Sequence, residues 1–209
     1  MSKGKFIVLE GIDGSGTTTQ AAKLAQYFAQ KEGYHLFLTK EPTGFETGKE
    51  IKRRLKEDKA AGINPFQEKG EEYLKLYVKD RKFHVQELIL PCLNQGVHVV
   101  SDRYKYSTFA YQGAQGQDLN KIISMHEGLL VPDLVLLLDL PAETALERRK
   151  KDKTIPELFE QLNFQKKVRE NYLALPYILP QENILMVDAS LNLEEVHKQI
   201  LAHVERLFQ

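Results

Sequence analysis

The sequence has no charge of either sign to spare. Lysine plus arginine number 29 and aspartate plus glutamate number 29, so no global basic field draws the chain to nucleic acid or to an anionic membrane. No stripe of interleaved aromatic and basic residues appears either, which leaves nucleic-acid binding without a footprint. Any phosphate site must be local. Cysteine is almost absent: Cys92 stands alone, which excludes an intramolecular disulfide. Its apolar setting, Leu88-Ile89-Leu90-Pro91-Cys92-Leu93, suits a buried thiol in a reducing compartment. Long apolar runs are missing as well. Phe6-Ile7-Val8-Leu9 breaks at Glu10, too short for a signal peptide or a span, and no other segment is long enough to cross a bilayer. A cytoplasmic protein without membrane contact is expected. There is no internal repeat and no low-complexity linker, and 209 residues suit one domain with a continuous core.

Short apolar runs alternate with longer amphipathic stretches. That alternation is the signature of parallel strands joined by crossover helices, so the fold class is α/β. Strands are expected at 6–9, 36–39, 97–101, 134–139 and 184–187, and their Val, Ile and Leu content implies burial on both faces. Between them, Ala21, Leu24, Ala25 and Phe28 share one face of a helix over 18–30. A longer helix over 73–93 is expected to close at Pro91, and Leu193, Val196, Ile200 and Val204 mark a C-terminal one. The most polar stretch is Glu147-Arg148-Arg149-Lys150-Lys151-Asp152-Lys153, running on to Glu160. It reads either as a mobile flap or as a solvated helix end.

The first strand runs into Gly11-Ile12-Asp13-Gly14-Ser15-Gly16-Thr17-Thr18 and then into a helix pattern. This strand, loop and helix context is what distinguishes a phosphate-binding loop from a glycine turn that merely connects two elements. The glycines allow backbone N–H groups to converge on phosphate oxygens, and the helix N-terminus adds the positive end of its dipole. The expected architecture is the three-layer P-loop NTPase fold, a five-stranded parallel sheet flanked by helices with a short mobile lid at about 147–160. In the usual pattern a lysine follows the last glycine. Thr17 stands there instead, with Thr18 left as the hydroxyl for Mg2+. Two readings follow: either Arg148, Arg149, Lys150, Lys151 or Lys153 supplies the missing charge, or nucleotide binds without efficient transfer.

The strand over 97–101 delivers Asp102-Arg103-Tyr104 to its carboxyl end, where open α/β sheets bind ligands. A carboxylate there suits a metal ion or its water shell, and a guanidinium suits a phosphate gripped through paired hydrogen bonds. A surface ion pair would explain Asp102 and Arg103 taken by themselves. They are followed at once by Tyr104-Lys105-Tyr106-Ser107-Thr108-Phe109-Ala110-Tyr111-Gln112-Gly113.

Over essentially its whole length the chain resembles the thymidylate kinase family. The resemblance rests on Leu9-Glu10-Gly11-Ile12-Asp13-Gly14-Ser15-Gly16, Lys40-Glu41-Pro42-Thr43, Asp80-Arg81, Asp102-Arg103-Tyr104 with Ala110-Tyr111-Gln112-Gly113, and Pro132-Asp133-Leu134 leading to Leu138-Asp139-Leu140. It implies transfer of the γ-phosphoryl group of ATP to dTMP, giving dTDP and ADP, with Mg2+ at Thr18 and Asp102 and usually in a homodimer. By the same resemblance the loop from Gly11 to Thr18 holds ATP phosphates, Asp13 accepts from the sugar 3′-hydroxyl, and Arg103 aligns the acceptor phosphate. Tyr77 would stack on the base and Arg81 donate to a ring carbonyl, although a core aromatic is an equal reading of Tyr77. Thr108 and Gln112 would complete the base edge, Tyr111 would pack beneath the sugar, and Glu41-Pro42 would form the acceptor-side turn, with Lys40 where many relatives have arginine. Gly14 and Ser15 offer no arginine, so the expected catalytic cations are those of the flap, Arg148 and Arg149.

Two competing functions keep a place. A deoxynucleoside kinase shares the loop and the Asp-Arg pair but needs a carboxylate base, for which Glu10 is the candidate. A nucleotide-binding module without turnover is prompted by Thr17 alone.

Overall fold

The computed structural model describes residues 3–148 and 155–209, and of residues 66, 67 and 155–160 the backbone alone. Strands β1 (Phe6–Glu10), β2 (Leu36–Lys40), β3 (His98–Asp102), β4 (Leu134–Asp139) and β5 (Ile184–Asp188) form one five-stranded sheet in the order β2-β3-β1-β4-β5. Every pairing is parallel. The unbroken aliphatic runs sit where they should: β1 and most of β3 and β4 are buried. Each such Val, Leu or Ile removed from water is worth about 1.5–3 kcal/mol. The edges depart from the expected two-faced burial. Phe37 and Leu38 on β2 and Met186 on β5 are exposed, because an edge strand has a neighbour on one side only.

The helices are α1 (Thr17–Ala29), α2 (Glu46–Ala60), α3 (Pro65–Glu68), α4 (Gly70–His84), α5 (Leu90–Asn94), α6 (Lys105–Ala114), α7 (Leu119–Ser124), α8 (Ala142–Arg148), α9 (Ile155–Ile178) and α10 (Leu193–Arg206). Right-handed crossovers sort them into layers. The step from β1 to β2 runs opposite to the steps β2 to β3, β3 to β4 and β4 to β5, so α1 lies on one face and α2 to α9 lie on the other. The last helix, α10, returns to α1, with Lys23 paired to Glu194 and Gln20 donating to the Leu193 carbonyl. Its buried face is Val196, Ile200 and Val204, whereas Leu193 is exposed.

Pro91 does not close the long helix. A π-helical turn over Val85–Ile89 precedes it, and the chain stays helical to Asn94. A proline ring clashes with the carbonyl four residues back and lacks an N–H, and a widened turn just before it relieves both problems. Within the expected lid, residues 149–154 lie outside the described residues. Residues 147 and 148 close α8, and α9 opens at Ile155.

Candidate functional site

At the carboxyl ends of β1 and β3 the crossover direction reverses, which is where open parallel sheets leave a crevice. The two strands are in register with Leu9 opposite Asp102. The loop that follows β1 depends on its glycines. A Cβ on Gly11 would lie 2.5 Å from Ser15 Oγ and 2.7 Å from the Leu138 carbonyl oxygen. Gly16, with φ 98°, is the N-cap of α1 in the left-handed region, and no side chain caps that helix. Its first N–H groups are therefore left for an anion. The Ser15 hydroxyl is buried with no partner among the described residues. A cleft of about 730 Å³ opens over the loop, lined by Asp13 to Gln20, Arg103, Arg148 and the segment after β5.

Thr17 lines this cleft as a buried residue, so no cation comes from the loop itself. Arg148 reaches the cleft from α8, donating from Nη2 to the Ala189 carbonyl at 3.0 Å. Arg149 lies outside the described residues. Thr18 Oγ1 donates to Asp102 Oδ2 at 2.5 Å, while the other oxygen, Asp102 Oδ1, is buried without a partner among the described residues. A hydroxyl beside an unsatisfied carboxylate oxygen is a hard, two-ligand oxygen set, which fits Mg2+ with its remaining waters and phosphate oxygens. No cluster of three or more His, Cys, Asp or Glu occurs among the described residues, so a metal cage made of protein alone is not the pattern here.

Arg103 takes a backbone φ of 75°, unusual for a residue with a side chain. Such strain survives only where the surroundings enforce it. Here its N–H donates to the Leu9 carbonyl at 2.9 Å. Its guanidinium pairs with Asp13 Oδ1 at 2.8 Å, donates to Ser107 Oγ at 3.0 Å, and lies 5.3 Å from the centre of the Tyr111 ring. Burial pulls the Arg103 guanidinium down, but Tyr111, Tyr172, Asp13 and Glu10 outweigh it and hold it above its ordinary value. The Tyr111 hydroxyl accepts from the Asp13 N–H at 3.0 Å, tying the ring to the loop.

Beneath this lies Glu10, wholly buried. Its Oε1 accepts from the Tyr104 N–H at 2.7 Å and the Ser107 N–H at 3.1 Å. Its Oε2 accepts from Ser107 Oγ at 2.6 Å and the Tyr172 hydroxyl at 2.9 Å. Burial pushes its carboxyl up to about 7 against the pull of Arg103 and these donors. With both oxygens engaged and none exposed, Glu10 cannot reach a 5′-hydroxyl, and the base that a deoxynucleoside kinase needs has no candidate there.

A second cleft, about 1180 Å³, lies on the other side of Arg103. Asp13, Glu41, Pro42, Tyr77, Arg81, Arg103, Thr108, Tyr111 and Gln112 all line it. The expected acceptor-side residues, drawn from distant parts of the sequence, thus meet in one place. Burial pushes the Tyr77 phenol up to about 12, and the residue lies on the cleft wall. Arg81 is less free than expected. It binds Glu41 through Nε at 2.8 Å and Nη2 at 2.7 Å, the Tyr104 carbonyl through Nη2, and His126 through Nη1 at 2.6 Å. One Nη1 hydrogen remains for a ligand. Glu41 faces Arg81 through Oε2 and His84 Nδ1 through Oε1 at 3.0 Å, so it positions Arg81 from the cleft wall that it lines. Lys40 is exposed and lines neither cleft. Asp80 accepts from the Thr43 N–H and from the hydroxyls of Thr43 and Thr47, which pins the turn after β2.

Sequence reading missed Ser107, Tyr172 and His126. His126 Nδ1 lies 2.6 Å from the Ile122 carbonyl, so Nδ1 carries the proton and Nε2 accepts from Arg81. Burial, then the Arg81 charge, pushes this imidazole down to about 3, which keeps it an acceptor. Nothing in the local pattern around His126 signals that partner, 45 residues away. Ser107 carried a weak signal, one helical turn beyond Arg103.

The two clefts share Asp13 and Arg103, so groups held in the two would meet across a single ion pair. Comparison with known proteins identifies the family. The family model described as thymidylate kinase matches residues 9–200. The chain is 44% identical to a probable thymidylate kinase of Pyrococcus horikoshii over 203 residues, covering 97% of each chain. It is 43% identical to a probable thymidylate kinase of Thermococcus kodakarensis over 97% of this chain and 98% of that one. To the thymidylate kinase of Carboxydothermus hydrogenoformans it is 39% identical, over 98% of both.

Proposed function

The chain belongs to the thymidylate kinase family and is an ATP-dependent enzyme with thymidylate kinase activity, and from that premise we propose how its residues divide the reaction. The loop from Gly11 to Thr18 holds the ATP phosphates in the smaller cleft, and dTMP occupies the larger one. The observation that carries this division is the shared Asp13–Arg103 pair at 2.8 Å between the clefts. Arg103 aligns the acceptor phosphate with the γ-phosphate. Asp13 holds Arg103 and accepts from the sugar 3′-hydroxyl. The acceptor is already an anion, so alignment and charge neutralisation suffice without a strong base.

Base recognition falls to Tyr77 as the stacking face, to the remaining Arg81 hydrogen, and to Thr108 and Gln112 at the edge. Thr18 and Asp102 would hold Mg2+, which when bound offsets negative charge on the transferring phosphates. Thr17 brings no charge, and Arg148 at the cleft with Arg149 beside it in sequence supplies the cation that the loop lacks. The whole chain, 1–209, forms one kinase domain whose lid is the segment at about 147–160.

Two further features complete the reading. The enzyme works as a homodimer, for which exposed Phe37 and Leu38 on the edge strand and Phe83 on α4 supply apolar surface. It acts in the cytoplasm, in keeping with its single thiol, Cys92. Among the described residues, no helix is long and apolar enough to cross a membrane.

The test is direct. Purified protein with ATP, Mg2+ and dTMP is expected to form dTDP, with thymidine inert and dUMP and dCMP poorer acceptors. Phosphorylation of thymidine in preference to dTMP would overturn the acceptor assignment, and a monomer by sedimentation at micromolar concentration would overturn the dimer.

A further inference from the structure

The acceptor cleft is polar in a way that thymine does not use up. Gln112 on α6 is buried, and neither end of its amide has a partner among the described residues. Among the described residues, Gln115, one turn on, has no partner for its Oε1, and Gln165 on α9, 4% exposed, has none for its Oε1. All three line the same cleft. The two helices are held against each other there, by Asn171 Nδ2 donating to the Ala110 carbonyl at 2.9 Å and by Tyr111 packed between Phe164 and Tyr172.

The unpaired atoms amount to three acceptors, Gln112 Oε1, Gln115 Oε1 and Gln165 Oε1, and one donor, Gln112 Nε2. Thymine offers one ring N–H and two carbonyls. It can satisfy the Gln112 amide, donating to one end and accepting from the other, and then has no hydrogen left for Gln115 or Gln165. Guanine presents the complementary edge, with O6 as acceptor and N1–H plus the two N2 hydrogens as donors. Adenine and cytosine each bring one amino group and no ring N–H on that edge, so each leaves at least one oxygen unmet. A buried acceptor left unsatisfied is costly, and that cost is what a matching base would recover. Space is not limiting: the cleft of about 1180 Å³ exceeds the roughly 300–1,000 Å³ usual for small-molecule sites.

We propose that this cleft also accepts a guanine 2′-deoxynucleoside monophosphate, read by Gln112, Gln115 and Gln165, so that the enzyme phosphorylates dGMP as well as dTMP. The proposal rests on the assignment of the larger cleft to the acceptor. The reaction balances as it does for dTMP. The γ-phosphorus of ATP parts from the β–γ bridging oxygen, which keeps the bonding pair on ADP, and bonds to a phosphate oxygen of dGMP to give dGDP.

The experiment measures kcat/KM for dTMP, dGMP, dAMP and dCMP with the full-length protein, ATP and Mg2+, and repeats dTMP and dGMP with Gln115→Leu and Gln165→Leu. Expected is dGMP turnover within about a hundredfold of dTMP and above dAMP and dCMP. In each variant the dGMP to dTMP ratio is expected to fall about five- to tenfold, the loss of one hydrogen bond. Robust dTMP turnover with no dGDP formed, or with dGMP no better than dAMP, overturns the proposal and leaves the thymidylate reading intact. An unchanged ratio in the variants overturns the assignment of the reading residues. Failure of dTMP itself would strike the acceptor assignment instead. Should Gln165→Leu fail to fold, the wild-type acceptor series and Gln115→Leu decide.

Discussion

Replacing Glu10 with glutamine tests the network beneath Arg103 with a change of one atom. The carboxyl stands at about 7 in the folded chain against an ordinary 4.5, so the native state holds this proton more tightly than the unfolded chain does. The linked stability is fully present below about 4.5 and is lost as pH rises through about 7. A displacement of that size corresponds to about 3 kcal/mol over the whole range, of which roughly 2–3 kcal/mol falls between pH 5 and pH 8. Glutamine keeps Oε1 for the N–H groups of Tyr104 and Ser107 and asks only that the hydroxyls of Ser107 and Tyr172 turn to accept. The variant is therefore expected to fold, to lie below wild type in stability at pH 5, and to gain on it by roughly 2–3 kcal/mol by pH 8. Urea unfolding of both proteins at half-unit steps measures the difference, and every titration they share cancels from it. A gap that stays constant from pH 5 to pH 8 would refute the reasoning, since it would mean that Glu10 is ionised throughout.

Arg103→Ala is expected to lower kcat on dTMP by about a hundred- to a thousandfold, the loss seen when a preorganised charge is removed from transferring phosphate. An effect limited to the KM for ATP would reassign it to the donor side. Thr17→Lys is expected to raise kcat or leave it near wild type, because the residue faces the nucleotide cleft from the first turn of α1. A fall of more than about tenfold would show that the loop excludes a cation. Neutralising Arg148 and Arg149 together, each to glutamine, is expected to cost at least about tenfold in kcat. A loss of no more than about twofold in steady-state assays would remove them as the compensating charge.

Much of this molecule is legible in its sequence where the signal is local. The aliphatic runs of β1 and β4 and the glycines of the loop impose their conformations through neighbouring residues, and the strands lie within a residue of where periodicity puts them. Edge exposure at Phe37, Leu38 and Met186 depends on strand order instead, and two strands with similar composition can have opposite surroundings. The persistence of helix past Pro91 depends on a π-turn that no propensity registers. Side-chain pairing is harder still. Glu10, Tyr104, Ser107 and Tyr172 form one network across 162 residues of separation, and only the packing of α6 and α9 over the end of β1 brings them together.

The same limit explains why single residues are ambiguous where the constellation is not. Arg81 looks like a base-reading arginine by its place in the sequence, yet most of its hydrogens go to Glu41, Tyr104 and His126. A guanidinium so committed is rigid, and rigidity is what makes its one remaining hydrogen selective. Gln112 is the opposite case, an ordinary polar residue in a helix until burial strips both ends of its amide of partners. Buried polar groups in a folded chain are almost always satisfied. A site for a ligand is therefore better found by asking which groups the fold has left wanting than by asking which residues are charged. Among the described residues that question leads to Asp102 Oδ1 and Ser15 Oγ at the phosphate loop and to the three glutamines of the larger cleft, and besides them only to Gln117 Nε2 and His203 Nδ1, which line neither cleft. Arg103 stands between the two sets, the strained residue that both clefts share.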